Sequence, residues 1–403
     1  MTACRADDFA APRMSLRYIA MIFRNGLLIF PDGVRDEREL VAQEGKIIEV
    51  RPTRRTAESD IVDLGGNFLA PGFIDLHLHG ALGRDTMEAT REAFQIICDY
   101  HAGGGTTSLL LTTVTAPIPE IARVLQTVKD LAGQIRQVAG VHVEGPFISK
   151  TKRGAQREEF IIEPTLELRH ELLRFSEVIK IVTLAPEIRG ALETIEQLRE
   201  RGIRISGGHS EADDAQARAA FERGMRQVTH TFNCMSSAQR RGMYRTAGLL
   251  EFALSEPEIL CELIADGHHV SATLMKMLYR AKGADGICLV TDATAGAGLP
   301  NESRFFIGGR ECVVANGVCL LADRSALAGS ASRMIDLIRT MVQTVGVPLH
   351  EAINMATANP ARALGLEGRK GCLAMGADAD LIVFSPELKV VQTFSDGQQI
   401  FPR

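Results

Sequence analysis

Short apolar stretches alternate with longer amphipathic stretches through the middle of the chain. Eight of the apolar stretches have the length of buried strands, and helical stretches such as 187–201 and 211–224 follow most of them. Repeated strand–helix units predict a parallel sheet, and eight units over roughly 300 residues fit a (β/α)8 TIM-like barrel with insertions. We predict the strands at 72–77, 107–114, 139–144, 178–184, 203–206, 227–230, 259–265 and 287–291.

The two ends of the chain have another pattern. Short apolar stretches there are separated by turn signals such as Asn25-Gly26 and Asp396-Gly397, and helical periodicity is absent. This pattern predicts one small β-sandwich domain built from residues 16–70 and 372–403, beside a barrel of residues 71–371. Residues 1–15 carry charges and no long apolar region, so we interpret them as an N-terminal extension and not as a signal peptide.

One insertion is visible after the eighth strand. Residues 305–321 contain turn signals at Gly308-Gly309 and Asn316-Gly317 and predict a β-hairpin, with a final helix near 325–345. A doubly wound open sheet is the alternative fold, although no Gly-x-Gly-x-x-Gly turn follows an early strand.

Composition and charge exclude several classes of protein. The chain has 403 residues, of which 45% are hydrophobic, and a net charge of -5 gives no support to nucleic-acid binding. The longest uncharged stretch, 102–119, contains glycines and prolines and predicts a loop–strand–loop, not a membrane span. None of the eight cysteines forms a Cys-x-x-Cys pair, which argues against a disulfide framework and favours a reducing cytoplasm.

Histidine and carboxylate side chains collect where the predicted strands end. The pair His77 and His79 ends the first strand, and alternation along a strand places both imidazoles on one face. In a (β/α)8 barrel the carboxyl ends of the strands converge on one mouth, where active sites lie. Imidazole and carboxylate ligands suit Zn²⁺ or Fe²⁺, and also Co²⁺ or Mn²⁺. A divalent-metal site is therefore predicted from His77, His79, Glu144, His209, His230 and Asp292.

The remaining histidines are interpreted from their neighbours. His142 precedes Glu144 by two positions and is expected to pack inside the barrel. At least one of His268 and His269, in the loop after the seventh strand, is expected to border the mouth. The histidines predicted to lie at the surface are His101, His170 and His350.

The order of the motifs resembles one enzyme family. The chain carries His-x-His, Val-Glu-Gly-Pro, Gly-His-Ser, Thr-His-x-x-Asn, Ala-Asp-Gly-x-His-Val and Leu-Val-Thr-Asp-Ala in succession. This succession resembles the N-acetylglucosamine-6-phosphate deacetylases of the amidohydrolase superfamily, from Gly72 to the closing segment at Asp380. The resemblance implies a (β/α)8 barrel with a small β-sandwich, a homodimer, and hydrolysis of the acetamido group of a phosphorylated N-acetylhexosamine.

The resemblance also implies a role for each matched residue. The principal metal would be held by Glu144, His209 and His230, and His77 with His79 would complete a second site, so that one or two divalent metals bind per subunit. Asp292 matches the catalytic aspartate, which would take a proton from the attacking water and return it to the departing amine. The matched substrate contacts are Gln156, Asn233, Cys234, Arg241 and His269, the last two as a phosphate clamp shared across the dimer.

The chain departs from the family pattern at three places. Gln156 replaces the usual lid histidine, and an amide donates a hydrogen bond but does not carry a proton. Cys234 replaces the commoner alanine, and Gly242-Met243-Tyr244 replaces the usual Glu-Pro-Gly after Arg241. These departures leave the class of chemistry in place and the identity of the sugar open.

Two kinds of alternative remain. Within the superfamily, one alternative is an N-acetylgalactosamine-6-phosphate deacetylase, which shares the motifs. The others are a dihydroorotase, a dipeptidase or an adenine deaminase. Many enzymes of these last kinds bridge their metals with a carboxylated lysine, where this chain has Glu144. The alternative of another class is a non-catalytic scaffold, which would be expected to lose metal ligands that this chain retains.

Overall fold

A computed structural model describes residues 20–54 and 60–402, so the proposed extension at 1–15 lies outside the described residues. Its centre is a sheet of eight parallel strands that pair in the order of the sequence. The strands are Phe73–Leu78, Thr106–Thr113, Val138–Glu144, Ile179–Leu184, Arg204–Gly207, Met225–Val228, Leu260–Leu263 and Ile287–Leu289. Each matches a predicted strand, so the predicted (β/α)8 barrel is confirmed and the doubly wound alternative is wrong.

The ends of the first and eighth strands meet and complete the ring. The backbone N–H of Asp292 donates to the carbonyl of His77 at 2.8 Å. Below this bond, the buried carboxylate of Asp75 accepts a hydrogen bond from the Thr291 hydroxyl at 2.6 Å. These contacts place His77 and Asp292 side by side at the mouth.

Helices cover the outside of the barrel, and their apolar faces explain their positions. In Ile118–Asp130, Ile121, Val124, Leu125 and Val128 are buried, at the three- and four-residue spacing of one helix face. In the described part of the chain no helix is both long and apolar enough to cross a membrane. The α-helices are Arg91–Ala102, Ile118–Asp130, Leu166–Leu173, Ala191–Glu200, Asp214–Arg223, Leu249–Ser255, Ala272–Lys282, Met334–Thr340, Leu349–Ala356 and Ala358–Ala363.

Two sheets from the chain ends form the predicted second domain, which is confirmed. One contains Lys46–Pro52, Arg38–Gln43, Met21–Arg24 and Ile61–Asp63. The other contains Gln398–Phe401, Val390–Ser395, Leu381–Phe384, Phe68–Pro71, Leu27–Phe30 and Gly33–Arg35. Side chains from both, such as Phe23, Leu69 and Phe394, share one apolar core. The exact domain boundaries stay a prediction.

The insertion after the eighth strand is larger than the predicted hairpin. It is a four-stranded antiparallel sheet of Arg304–Ile307, Arg310–Ala315, Val318–Leu321 and Leu327–Ser330. The predicted helix near 325–345 is wrong at its start, because Leu327–Ser330 pairs with Val318–Leu321 as a strand, and the N–H of Ser330 donates to the carbonyl of Asp292. The helix begins at Met334 and continues into a π-helical turn, Met341–Val345.

Of the three histidines predicted to lie at the surface, one is exposed, one is half-buried and one is fully buried. His170 is exposed and His350 is half-buried. The prediction that His101 lies at the surface is wrong, because it lies on the buried face of its helix with Ile97 and Cys98. Its side chain is fully buried, with Nε2 3.3 Å from the carbonyl of Gly80.

Candidate metal centre

Three side chains from three strand ends meet at the barrel mouth. Oε1 of Glu144 lies 3.1 Å from Nε2 of His209 and 3.2 Å from Nε2 of His230. The two imidazole nitrogens are 3.1 Å apart, and all three side chains are buried. One carboxylate oxygen and two ring nitrogens around a single point are the donor set of a divalent-metal site.

A second group adjoins the first. Nε2 of His79 lies 3.3 Å from Nε2 of His77 and 3.2 Å from Oδ1 of Asp292. Glu144 joins the two groups, because its Oε1 is 3.4 Å from Nε2 of His77 and its Oε2 is 3.5 Å from Nε2 of His79. The six residues predicted from strand ends therefore lie together, in two groups that could each hold a cation.

The hydrogen bonds that Nδ1 of the imidazoles makes to the protein leave Nε2 facing the centre. Nδ1 of His79 lies 3.2 Å from the Thr112 carbonyl, and Nδ1 of His209 lies 2.8 Å from the Lys152 carbonyl. A carbonyl oxygen can only accept a hydrogen bond, so each Nδ1 carries a hydrogen and each Nε2 presents a lone pair to a metal once its own proton is displaced. Lone pairs and carboxylate oxygens facing one another are stabilised by a cation, so the residues fit a divalent metal.

Local backbone conformation aims these side chains into the mouth. His209, His230 and Asp292 have φ values of 47°, 30° and 46°, a left-handed region that side-chain-bearing residues rarely adopt. Each follows the end of its strand by two or three residues. Such strain persists only where the surrounding contacts enforce it, and it concentrates at functional sites.

Sequence reasoning missed Glu262, which lies inside the barrel on Leu260–Leu263. Its Oε2 lies 3.0 Å from Nδ1 of His77 and accepts the backbone N–H of His230 at 3.2 Å, while Gln227 donates to Oε1. One carboxylate thus orients a residue of each metal group. The available signal was a single acidic residue within the apolar stretch 259–265, since a buried charge needs a partner.

His142 also contacts this interior network, as expected of a packing residue. Its Nδ1 lies 3.0 Å from the Leu76 carbonyl and its Nε2 lies 2.7 Å from the Thr183 hydroxyl. Both ring nitrogens are engaged by the protein, so the cluster of His142 with His77 and Glu262 is a hydrogen-bond network and not a third cation site.

The charges of the centre keep the carboxyl group of Asp292 ionised. Burial raises the pKa of Asp292, but His77 and His79 outweigh burial and hold that pKa at about 2. Burial also raises the pKa of Glu144, and the neighbouring His77 and His209 hold it well below its usual value. Asp292 therefore faces the mouth as a carboxylate that can accept a proton.

A cavity of about 270 Å³ opens above the metal groups. Four of the five predicted substrate contacts line it: Gln156, Asn233, Cys234 and His269. Nδ1 of His269 lies 2.7 Å from Asp266. Burial lowers the pKa of His269, but Asp266 raises it above its usual value, which favours the cationic form.

The fifth predicted contact lies elsewhere in the single chain. Arg241 ends the strand Gln239–Arg241 of a small hairpin with Tyr244–Thr246, and it is not among the cavity-lining residues. Its side chain is 52% exposed and pairs with Asp213 at 3.2 Å. Met243 in the turn of this hairpin and Tyr244 at the start of its second strand are 83% and 71% exposed.

Comparison with known proteins gives consistent matches over most of the chain. The family model described as the amidohydrolase family matches residues 68–400. An N-acetylglucosamine-6-phosphate deacetylase of Lysinibacillus sphaericus is 34% identical, over 94% of this chain and 98% of its own length. An N-acetylgalactosamine-6-phosphate deacetylase of Escherichia coli O157:H7 is 32% identical with the same coverage. The crystal structure of the N-acetylglucosamine-6-phosphate deacetylase from Pasteurella multocida is 32% identical, with a TM-score of 0.90 over 94% of this chain and 99% of that chain.

Proposed function

Because the chain belongs to the amidohydrolase family, we propose that it hydrolyses N-acetyl-D-glucosamine 6-phosphate to glucosamine 6-phosphate and acetate in amino-sugar catabolism. The observation that carries the proposal is the convergence of Glu144, His209 and His230 on one point beneath a cavity, with Asp292 ionised beside them. The same convergence argues against the alternative of a non-catalytic scaffold, because such a protein would not be expected to keep six metal-competent side chains in contact.

The metal requirement follows from the difficulty of the reaction. An amide is a poor electrophile, and a bound divalent cation lowers the pKa of its water to about 7 and polarises the amide carbonyl. Glu144, His209 and His230 would hold the principal metal, and His77 with His79 and Asp292 would hold a second. Zn²⁺ or Fe²⁺ suits these ligands best, with Co²⁺ and Mn²⁺ as alternatives.

Asp292 supplies the proton transfers. Its Oδ1 lies at the floor of the cavity, 3.2 Å from His79 and 3.5 Å from His77, and is ionised at neutral pH. It accepts a proton from the attacking water at Oδ1 and returns that proton to the nitrogen of the departing amine. Between these two transfers Asp292 carries the proton as a carboxylic acid beside His77 and His79.

The phosphate of the substrate requires cationic donors at the far end of the cavity. His269, kept cationic by Asp266, lies within the lining. Arg241 pairs with Asp213 and does not line the cavity of its own chain, and its guanidinium offers a planar fork that matches phosphate oxygens. We therefore propose a homodimer in which Arg241 of each subunit completes the phosphate site of the other. The exposed Met243 and Tyr244 on the same hairpin support an interface there.

Asn233 and Cys234 are proposed to contact the sugar, since both line the cavity beside the metal groups. The second candidate substrate is N-acetyl-D-galactosamine 6-phosphate. The 32% identity to an N-acetylgalactosamine-6-phosphate deacetylase over nearly the whole chain favours it. The two hexosamines differ only in the configuration of one hydroxyl, so the chemistry of deacetylation is the same for both.

A released-acetate assay tests both candidates. The purified full-length protein is incubated with each N-acetylhexosamine 6-phosphate after treatment with a chelator, and again after addition of Zn²⁺ or Fe²⁺. We expect acetate from N-acetylglucosamine 6-phosphate only in the presence of metal. A higher kcat/KM for the galactosamine substrate would reverse the choice of sugar, and release of no acetate by metal-loaded protein would refute the proposal.

A further inference from the structure

Gln156 lines the cavity, yet both ends of its amide are already engaged by the protein. Its Nε2 donates to Oε2 of Glu144 at 2.7 Å, and its Oε1 accepts the backbone N–H of Thr115 at 2.8 Å. The residue is only 8% exposed. The side chain therefore connects the loop after the second barrel strand to a metal-ligand candidate at the end of the third.

This contact distinguishes the two oxygens of Glu144. Oε2 receives the amide hydrogen of Gln156, whereas Oε1 faces the ring nitrogens of His209 and His230 at 3.1 and 3.2 Å. Rotation of the carboxylate about its terminal bond would break the hydrogen bond to Gln156. The amide consequently fixes the orientation of the carboxylate plane, in which one oxygen points to the principal site.

The short segment that carries Gln156 also orients a second ligand. Nδ1 of His209 lies 2.8 Å from the carbonyl of Lys152, four residues before Gln156. The segment is itself tightly packed, because a Cβ added to Gly154 would lie 2.7 Å from Sγ of Cys234. Arg310 fixes it further by donating to the carbonyl of Ala155 at 3.2 Å. Segment 152–156 thus orients two of the three principal ligands.

We propose that Gln156 is a positioning residue of the metal centre, which holds Glu144 through Oε2 so that Oε1 remains directed at the principal cation. The proposal deepens the proposed function, on which it rests for the existence of the metal centre. In this role the amide of Gln156 supports metal binding through Glu144, separately from any contact with the substrate. Partners that orient a metal ligand in this way typically contribute 10- to 100-fold to metal affinity.

The test compares Zn²⁺ affinity of the full-length wild-type protein with that of Gln156→Leu, each titrated with Zn²⁺ after removal of metal by a chelator. We expect about 10- to 100-fold weaker binding of the first equivalent in the variant. A changed absorption spectrum of the Co²⁺-substituted variant would report altered ligand geometry. Gln156→Met keeps the length of the side chain and removes the amide without adding a charge, so it should weaken Zn²⁺ binding as well, and it replaces the leucine variant if that one does not fold.

The matched control is Gln126→Leu, which removes the same kind of amide-to-carboxylate bond, to Asp130, from an exposed helix. Its Zn²⁺ affinity should equal that of the wild type. The proposal is overturned if Gln156→Leu binds Zn²⁺ normally, and a raised KM with normal affinity would assign Gln156 to the substrate alone. If the wild-type protein binds Zn²⁺ but releases no acetate, the proposed function fails while the affinity comparison still decides the role of Gln156.

Discussion

Oε2 of Glu262 lies 3.0 Å from Nδ1 of His77, and both side chains are completely buried inside the barrel. The same oxygen accepts the backbone N–H of His230, so one carboxylate positions a residue of each metal group. Carboxylate partners of metal-binding imidazoles set the tautomer and the ring orientation. This contact explains why Nε2 of His77, and not Nδ1, faces Glu144 and Asp292.

Glu262→Gln should therefore weaken metal binding. The amide retains one acceptor oxygen but loses the charge that holds His77, and we expect about 10- to 100-fold lower metal affinity. Metal content and Zn²⁺ titration of the purified variant measure the effect. Glu351→Gln serves as the control, since Glu351 accepts a hydrogen bond from Tyr279 away from the site. Unchanged affinity in Glu262→Gln would remove Glu262 from the metal centre.

Asp292→Asn should abolish proton transfer while leaving the principal metal bound. Asparagine is nearly isosteric but cannot accept and return a proton, so we expect kcat to fall about 100- to 10,000-fold. The principal ligands Glu144, His209 and His230 are untouched, so at least one equivalent of metal per subunit should remain bound. Acetate release and metal analysis of the same preparation check both statements. Activity close to the wild type would exclude Asp292 from the mechanism.

The sequence predicted the barrel and six convergent residues because these depend on local signals. A polar residue at the end of a short apolar stretch, such as His230 or Asp292, is visible without knowledge of the fold. Glu262 was missed because its role depends on contacts with His77 and His230, which are distant in sequence. Likewise, the short stretch Leu327–Ser330 has no strand pattern of its own and pairs only because its neighbours place it beside a partner strand.

Arg241→Ala should weaken binding of phosphorylated substrates selectively. If Arg241 completes the phosphate site of a second subunit, KM for N-acetylglucosamine 6-phosphate should rise at least about tenfold, as expected when a charge-assisted hydrogen bond is lost. KM for unphosphorylated N-acetylglucosamine should not change. Arg240→Ala is the neighbouring control, because Arg240 donates to the Gly242 carbonyl within the hairpin. Equal increases of KM for both sugars would contradict the phosphate clamp.

Glu39→Gln should destabilise the β-sandwich domain in a pH-dependent manner. The buried Glu39 accepts from Arg24 at 2.6 Å and from Arg51 at 2.5 Å. Burial raises its pKa, but the hydrogen bonds from Arg51 and Arg24 outweigh burial, so the pKa lies below its usual value. Replacing the charge should lower the free energy of unfolding by about 3 kcal/mol at pH 7.

The sign of this pH dependence follows from the direction of the shift. A lowered pKa in the folded state means that Glu39 stabilises fully above the unfolded value of about 4.3, and that this contribution is lost as the pH falls through the lower folded value. Urea unfolding at pH 7 and near pH 3 should therefore show a difference between variant and wild type that shrinks at low pH. Glu49→Gln, which removes a partly exposed pair with Arg51, should cost about 1 kcal/mol or less. A difference that grows at low pH would contradict the assignment.

Gly329→Ala should reduce activity through Asp292. Gly329 has a φ of +65°, and a Cβ at this position would lie 2.3 Å from Cγ2 of Thr294 and 2.6 Å from the carbonyl oxygen of Asp292. The added methyl must displace the backbone that carries the proposed proton acceptor, so kcat should fall in addition to a loss of stability of about 1–3 kcal/mol. Gly317→Ala is the matched control in the same sheet, because its φ is +83° and nothing lies within 4 Å of the added Cβ. Gly317→Ala should lose stability and keep its kcat. A normal kcat in Gly329→Ala would show that the close approach of Gly329 to Asp292 does not position Asp292.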